Sequence, residues 1–153
     1  AAKTVSVEVQ APPIGEDEYH LFLSHSWSTG QDQMRILKQR LNEMVPSLQI
    51  FLDLDDLKVG KGDNYAACSR HVLVFLSDGY LDSTNCMREL LVALMMAKPL
   101  IVMVEADPRH GGMHDHQIRD ALLRSYSHLV HEGTQLHAEC VEVGLVPPTV
   151  DEV

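Results

Sequence analysis

Hydrophobic and polar positions change period along this chain in a regular way. "YHLFLSH" (Tyr19 to His25) is a short run rich in strand-forming residues. In "STGQDQMRILKQRLNEMV", Met34, Leu37, Leu41, Met44 and Val45 recur at helical spacing. Ser28 followed three residues later by Gln31 predicts a capping box at the start of that helix, and Pro46 predicts its stop. "LQIFLD" (Leu48 to Asp53) reads as a second strand. "LDDLKVGKGDNYAACSR" reads as a loop, carrying Gly60 and Gly62, that leads into a short helix. "HVLVFLS" (His71 to Ser77) and "PLIVMVE" (Pro99 to Glu105) are nearly continuous apolar runs, the pattern of strands buried on both faces. Between them "STNCMRELLVALMMAK" (Ser83 to Lys98) predicts a helix, and another is predicted over Met113 to Ser125. The tail from Tyr126 to Val153 is less defined; a fifth edge strand is expected near His128 to Val130 or Ala138 to Val143.

Alternating strands and helices imply an α/β fold with a parallel sheet and crossover helices on both faces. A flavodoxin-like order 2-1-3-4-5 is expected, with residues 1–18 as a leader and 19–153 as a single domain. Ligands of such sheets bind beyond the carboxyl ends of the strands, where strand order reverses. That rule pairs the loop Ser24, His25, Ser26, Trp27 with the segment from Ser77 to Glu89. On a helical wheel Met87, Leu90, Leu91, Leu94 and Met95 cluster toward the sheet. Glu89 falls on the other side with Val92, Ala93 and Met96. A helix apolar on two faces needs a second cover, from this chain or another subunit. Glu89 is then either a solvated bystander at the helix mouth or a working group.

Composition narrows the function. At 153 residues the chain is long enough to bury a core. A formal charge of -10 repels phosphate backbones and anionic lipid, which argues against a nucleic-acid or membrane-surface role. No apolar run approaches the ~18 residues of a membrane span. Cys68, Cys86 and Cys140 form neither a CxxC pair nor a zinc spacing, so reduced thiols and a cytoplasmic location are expected. Asp53, Asp55 and Asp56 resemble an acidic metal pocket, but loop solvation is the simpler account. His110, His114 and His116 lie close in sequence; a His-rich loop is preferred to a metal site, and none is expected.

"YHLFLSHSW", "FLDLDDLKVGKG" and "VLVFLSDGYLDSTNCMREL" resemble, in order, the strand-A motif, the BB loop and the strand-C/helix-C motif of Toll/interleukin receptor (TIR) domains. The resemblance spans about Tyr19 to Asp107. It implies a five-stranded flavodoxin-like fold and two modes of action. One is TIR–TIR assembly in innate-immune or cell-death signalling, here through the BB loop and helix 83–98. The other is cleavage of NAD+ at the nicotinamide–ribose bond, with NAD+ as substrate and no cofactor. "NCMREL" aligns with the "WCxxEL"-like motif of catalytic members and places the catalytic role on Glu89. The sequence departs from the family pattern at Asn85, where Trp is common, at His20, where Asp is common, and at Val59, where receptor members often have Pro. An "FW" box is not evident.

Under that resemblance Trp27 or Tyr80 offers a flat surface for nicotinamide or adenine. Ser24, His25 and Ser26 hydrogen-bond ribose or phosphate, and Ser83 and Cys86 complete the pocket. Lys61 meets the diphosphate from a loop whose glycines allow movement. Glu89, near the start of its helix, gains from the dipole. The alternative is a TIR interaction module without turnover. A phosphoacceptor receiver domain shares the topology, but its acidic pair after strand one is absent: Ser24, His25 and Ser26 stand there.

Overall fold

The computed structural model describes residues 9–52, 62–129, 131 and 133–142. Four parallel strands form the sheet: β1 (Tyr19–His25), β2 (Ile50–Phe51), β3 (Ser69–Leu76) and β4 (Leu100–Val104). Their order is β2-β1-β3-β4, which is the expected order with no fifth strand among the described residues. Helices α1 (Trp27–Met44), α2 (Gly62–Ala67), α3 (Thr84–Met95), α4 (Asp115–Leu129) and α5 (Gln135–Glu142) complete the described elements, with a 3-10 turn over Pro108–His110.

The period-2 alternation of the central strands decides what each side chain meets. Leu21 and Leu23 of β1 and Leu73 and Phe75 of β3 pack with Met34, Leu37 and Leu41 of α1. The alternate positions Phe22, Val72 and Val74 face the opposite layer, where Met87, Leu91 and Ala93 of α3 and Ala121 and Tyr126 of α4 join them. Helices therefore cover both faces. α2 also packs on α3, so the second apolar side of that helix is partly covered from within this chain. Met96, just past the helix, stays 45% exposed.

Several expectations give way. The first helix starts at Trp27, with Ser26 rather than Ser28 at the N-cap and no side-chain capping bond. Only one extended residue separates β1 from α1, so the helix begins before a Ser28 box can form. The second strand shrinks to Ile50–Phe51. β4 is not buried on both faces: Ile101 to Val104 are all exposed, and β3 is its only partner strand among the described residues. The described parts of the two tail segments expected to supply a fifth strand, residues 128–129 and 138–142, are helical instead, and Val130 and Val143 lie outside the described residues. The spacing of Ile118, Ala121, Leu122, Ser125 and Tyr126 carries α4 through His128 to Leu129. Thr134 then starts α5, its hydroxyl accepting from the His137 amide (3.3 Å), and Ala138 to Glu142 lie inside that helix.

His20 has a structural task. Its Nε2 donates to the Pro12 carbonyl (2.7 Å), and its Nδ1 accepts the Gln49 amide (2.9 Å). Arg70 donates to the Pro13 carbonyl (2.9 Å), so the segment preceding β1 is tied to the sheet at two points.

Candidate active site

β1 and β3 are adjacent and end side by side, and α3 begins after the turn that follows β3. Gly79 makes that turn with φ +82°, a left-handed conformation that side chains rarely adopt. Ser83 caps α3, its hydroxyl accepting from the Cys86 amide (3.3 Å). One turn further on, Glu89 points inward. It is 9% exposed, on the same buried stripe as Cys86 and Ala93. The expected grouping of Glu89 with Val92, Ala93 and Met96, away from the sheet-facing side, is corrected in part: Glu89 and Ala93 are buried, and Met96 is exposed. Of the side the wheel turned toward the sheet, Met87 and Leu91 are fully buried in the core, whereas Leu90 and Leu94 are only half-buried. At the sixth residue of α3, Glu89 is also beyond the first turn, where the dipole acts most strongly.

A hydroxyl takes the place of the dipole. Ser24 sits on the α3 side of β1 by strand parity, and its Oγ donates to Glu89 Oε2 at 2.5 Å. The Ser24 hydroxyl also meets the Tyr80 hydroxyl at 2.7 Å. Burial, reinforced by the nearby Cys86 and Glu89, holds the Tyr80 phenol well above its ordinary pKa. The same causes, burial first and Glu89 second, push the Cys86 thiol up to about 12. That thiol donates to the His25 carbonyl (3.4 Å).

Glu89 is buried but not sealed off. It lines a cavity of about 330 Å³ with His25, Ser26, Trp27, Ser83 and Cys86, five of the expected residues, floored by Phe22 and Leu23. Trp27 is 45% exposed and forms its rim. His25 is buried, its Nδ1 donating to the Leu23 carbonyl (3.1 Å). Two expected ligand contacts are corrected. Tyr80 is fully buried and Ser24 is 1% exposed; neither lines the cavity, and their hydroxyls are spent on each other and on Glu89. Lys61, with Asp53, Asp55, Asp56 and most of the BB loop, lies outside the described residues. Ser28 and Asn85 line the cavity without having been singled out. Each is the second residue of a helix whose first turn faces the strand ends, which was the available signal.

Trp27 and Ser28 also wall a second cavity of about 510 Å³, bordered by Arg109 and His110. Asp107 grips Arg109 there (2.6 Å), and that guanidinium holds the carboxyl below its usual range. His114 and His116 stack at 5.9 Å in an exposed segment. Among the described residues no three His, Cys, Asp or Glu side chains converge as a metal site. No described helix is long and apolar enough to cross a membrane. Cys68 and Cys86 are free thiols.

An acid-bearing cavity at the carboxyl ends of a doubly covered parallel sheet defines the class: an α/β protein with a cavity at its strand switch point, where ligands of such sheets bind. No family model matches the chain, and no curated protein matches it. Among solved structures it is similar to the TIR domain of the Toll-related receptor TRR-2 of Hydra magnipapillata. That match has 14% identity and a TM-score of 0.46, and covers 72% of this chain and 96% of the other. It is also similar to the TIR domains of the activated Roq1 resistosome directly recognising the pathogen effector XopQ. Here identity is 24% and the TM-score 0.48, with coverage of 82% of this chain and 77% of the other.

Proposed function

We propose that this chain is a TIR domain that cleaves NAD+ at the nicotinamide–ribose bond, with Glu89 as its catalytic carboxylate, working in an assembled state in innate-immune or cell-death-type signalling. One observation carries the reading. The Glu89 carboxylate, hydrogen-bonded by Ser24, lies in the wall of a strand-end cavity rimmed by the chain's single tryptophan.

The chemistry needs little more than this. Most glycoside hydrolases use two carboxyl groups, because a neutral leaving group must be protonated as it departs. In NAD+ the base is already cationic. The C1′–N bond breaks with its electron pair moving to the pyridinium nitrogen, and nicotinamide leaves neutral. Positive charge develops on the ribosyl carbon and ring oxygen. A fixed anion beside the ribose stabilises that charge in a site largely closed to water. Water then adds to C1′ and loses a proton to give ADP-ribose, or an adenine nitrogen adds to give a cyclic isomer.

The cavity, about 330 Å³, is at the small end of ligand-site volumes. It suits the nicotinamide riboside half of the substrate. Trp27 is the aromatic wall for nicotinamide, compensating for Asn85 where the family has Trp, and Ser26 and Ser83 offer hydroxyls to the ribose. The rest of the dinucleotide runs past Trp27 toward the second cavity. Assembly uses the BB loop and helix 83–98, whose end carries the exposed Met96.

The test is incubation of concentrated protein with NAD+ and chromatographic assay for nicotinamide. Release that is lost in Glu89→Gln is the expected result. Absence of release from protein shown to be assembled would overturn the enzymatic reading and leave an interaction module.

A further inference from the structure

We infer that Ser24 and Tyr80 act as positioning residues: a buried two-hydroxyl chain that holds the Glu89 carboxylate in place without touching substrate. The assignment of a catalytic purpose rests on the reading above; the hydrogen-bond order does not.

That order follows from proton counting. Each hydroxyl has one proton to give, and an ionised carboxylate only accepts. Ser24 Oγ lies 2.5 Å from Glu89 Oε2 and 2.7 Å from the Tyr80 hydroxyl. With the Ser24 proton directed at Glu89, the Tyr80 proton must be directed at Ser24. All donors then point toward the acid, an arrangement that favours its anionic form. The chain polarises along its length, so the phenol strengthens the serine's bond to the carboxylate. Burial keeps the phenol protonated, and therefore a donor, throughout the pH range of ordinary assays.

The placement is equally specific. Ser24 belongs to β1, Tyr80 to the turn after β3, and Glu89 to α3. The two hydroxyls thus tie a helix side chain to the ends of both central strands. Ser24 and Tyr80 are 1% and 0% exposed and absent from the cavity wall, so a ligand there meets Glu89 and not them. Among the described residues, the other titratable groups lining the cavity with Glu89 are His25 at the end of β1 and Cys86 on α3, and Arg88 precedes Glu89 on that helix. These stay unchanged in the variants below.

The experiment compares wild type, Ser24→Ala, Tyr80→Phe and the double variant by two readouts. In the nicotinamide assay, Ser24→Ala is expected to lower kcat about tenfold or more at unchanged KM, the effect of losing a hydrogen bond to a charged group. Tyr80→Phe, which keeps the ring and its packing, lowers kcat by less. The double variant is no worse than Ser24→Ala, because Tyr80 acts only through Ser24. Ser24→Thr restores the hydroxyl and recovers rate. Independently, the Glu89 carboxyl carbon is followed by NMR titration of carbon-13-labelled protein. Its midpoint rises in Ser24→Ala and, by less, in Tyr80→Phe. Wild-type protein without nicotinamide release would sink the proposed activity alone, and the titration would still judge the chain. An unmoved Glu89 midpoint in both folded single variants, or additive losses in the double variant, overturns the chain itself.

Discussion

Gly30 of α1 lies directly against the ring of Phe75 on β3. A Cβ built on Gly30 would stand 2.9 Å from Phe75 Cδ1 and 3.1 Å from the Cβ of His25. Glycine inside a helix normally costs about 1 kcal/mol relative to alanine. Here the close approach reverses the preference, since overpacking a filled core costs about 1–3 kcal/mol. Gly30→Ala is therefore expected to lower the thermal midpoint. In a Phe75→Leu background, where the ring is gone, the same substitution should be neutral or stabilising. A raised midpoint for Gly30→Ala alone would show that the helix does not seat this closely.

Burial of the Cys86 thiol predicts both reactivity and pH dependence. With its pKa pushed up to about 12, the thiol is almost wholly protonated at pH 8 and a poor nucleophile. Iodoacetamide at that pH should label exposed Cys68 and spare Cys86 in the native protein, as read by peptide mass spectrometry. The stability sign follows from proton binding. An unfolded thiol titrates near about 8.5. Between that value and about 12 the folded chain holds a proton that the unfolded chain has lost, so stability falls as pH rises. Below that window the group contributes no pH dependence. Tyr80, raised in the same direction, adds to the fall above its own ordinary value. Urea midpoints measured from pH 8 upward should decline, with a shallower slope in Cys86→Ala. A flat wild-type profile would contradict the burial of both groups.

Strand parity was readable from the residues, and it explains much of the site. Even-numbered Phe22 and Ser24 face α3, whereas Leu21, Leu23 and His25 lie on the α1 side or at its rim. The strand-end rule correctly brought His25, Ser26 and Trp27 together with Ser83, Cys86 and Glu89. The inward direction of Glu89 was not legible, because α3 is apolar on two sides and a wheel has no fixed zero. The rotation shows only in which residues reach the core, where Cys86, Met87, Leu91 and Ala93 pack. Tyr80 was misread for a related reason. A tyrosine at a strand end suits a ligand wall or a core plug equally, and the plug needs the Ser24 hydroxyl as its partner. In the tail, a short segment such as residues 128–129 fits strand or helix, and the run from Ile118 to Tyr126 decides for helix.

Thr29 joins the opposite side of the sheet to the turn after β3. Its Oγ1 donates to the Asp78 carbonyl (3.0 Å), so the fully buried Ser77 hydroxyl donates to Thr29 (2.7 Å). Thr29→Val preserves shape but removes that acceptor. An unsatisfied buried hydroxyl costs about 1–3 kcal/mol. The expected result is a lower urea midpoint with an unchanged slope, the mark of lost stability without a change in compactness. Adding Ser77→Ala should recover part of the loss, because both partners are then apolar. A Thr29→Val midpoint equal to wild type would mean that Ser77 finds another acceptor.

β4 presents Ile101, Val102, Met103 and Val104 at 45%, 55%, 38% and 46% exposure. With no partner on its outer side among the described residues, such an edge, apolar on both sides and without a charge, is a template for unwanted strand pairing. Val102→Lys places a charge where natural sheets commonly put one. Because Val102 is more than half exposed, the substitution removes little buried area and should change unfolding stability by less than about 0.5 kcal/mol. Its effect belongs to the aggregated state. Less light scattering during thermal unfolding, at a nearly unchanged midpoint, is the expected pair of results. A large drop in the midpoint would mean that β4 is covered in solution, and the exposed edge would have to be abandoned.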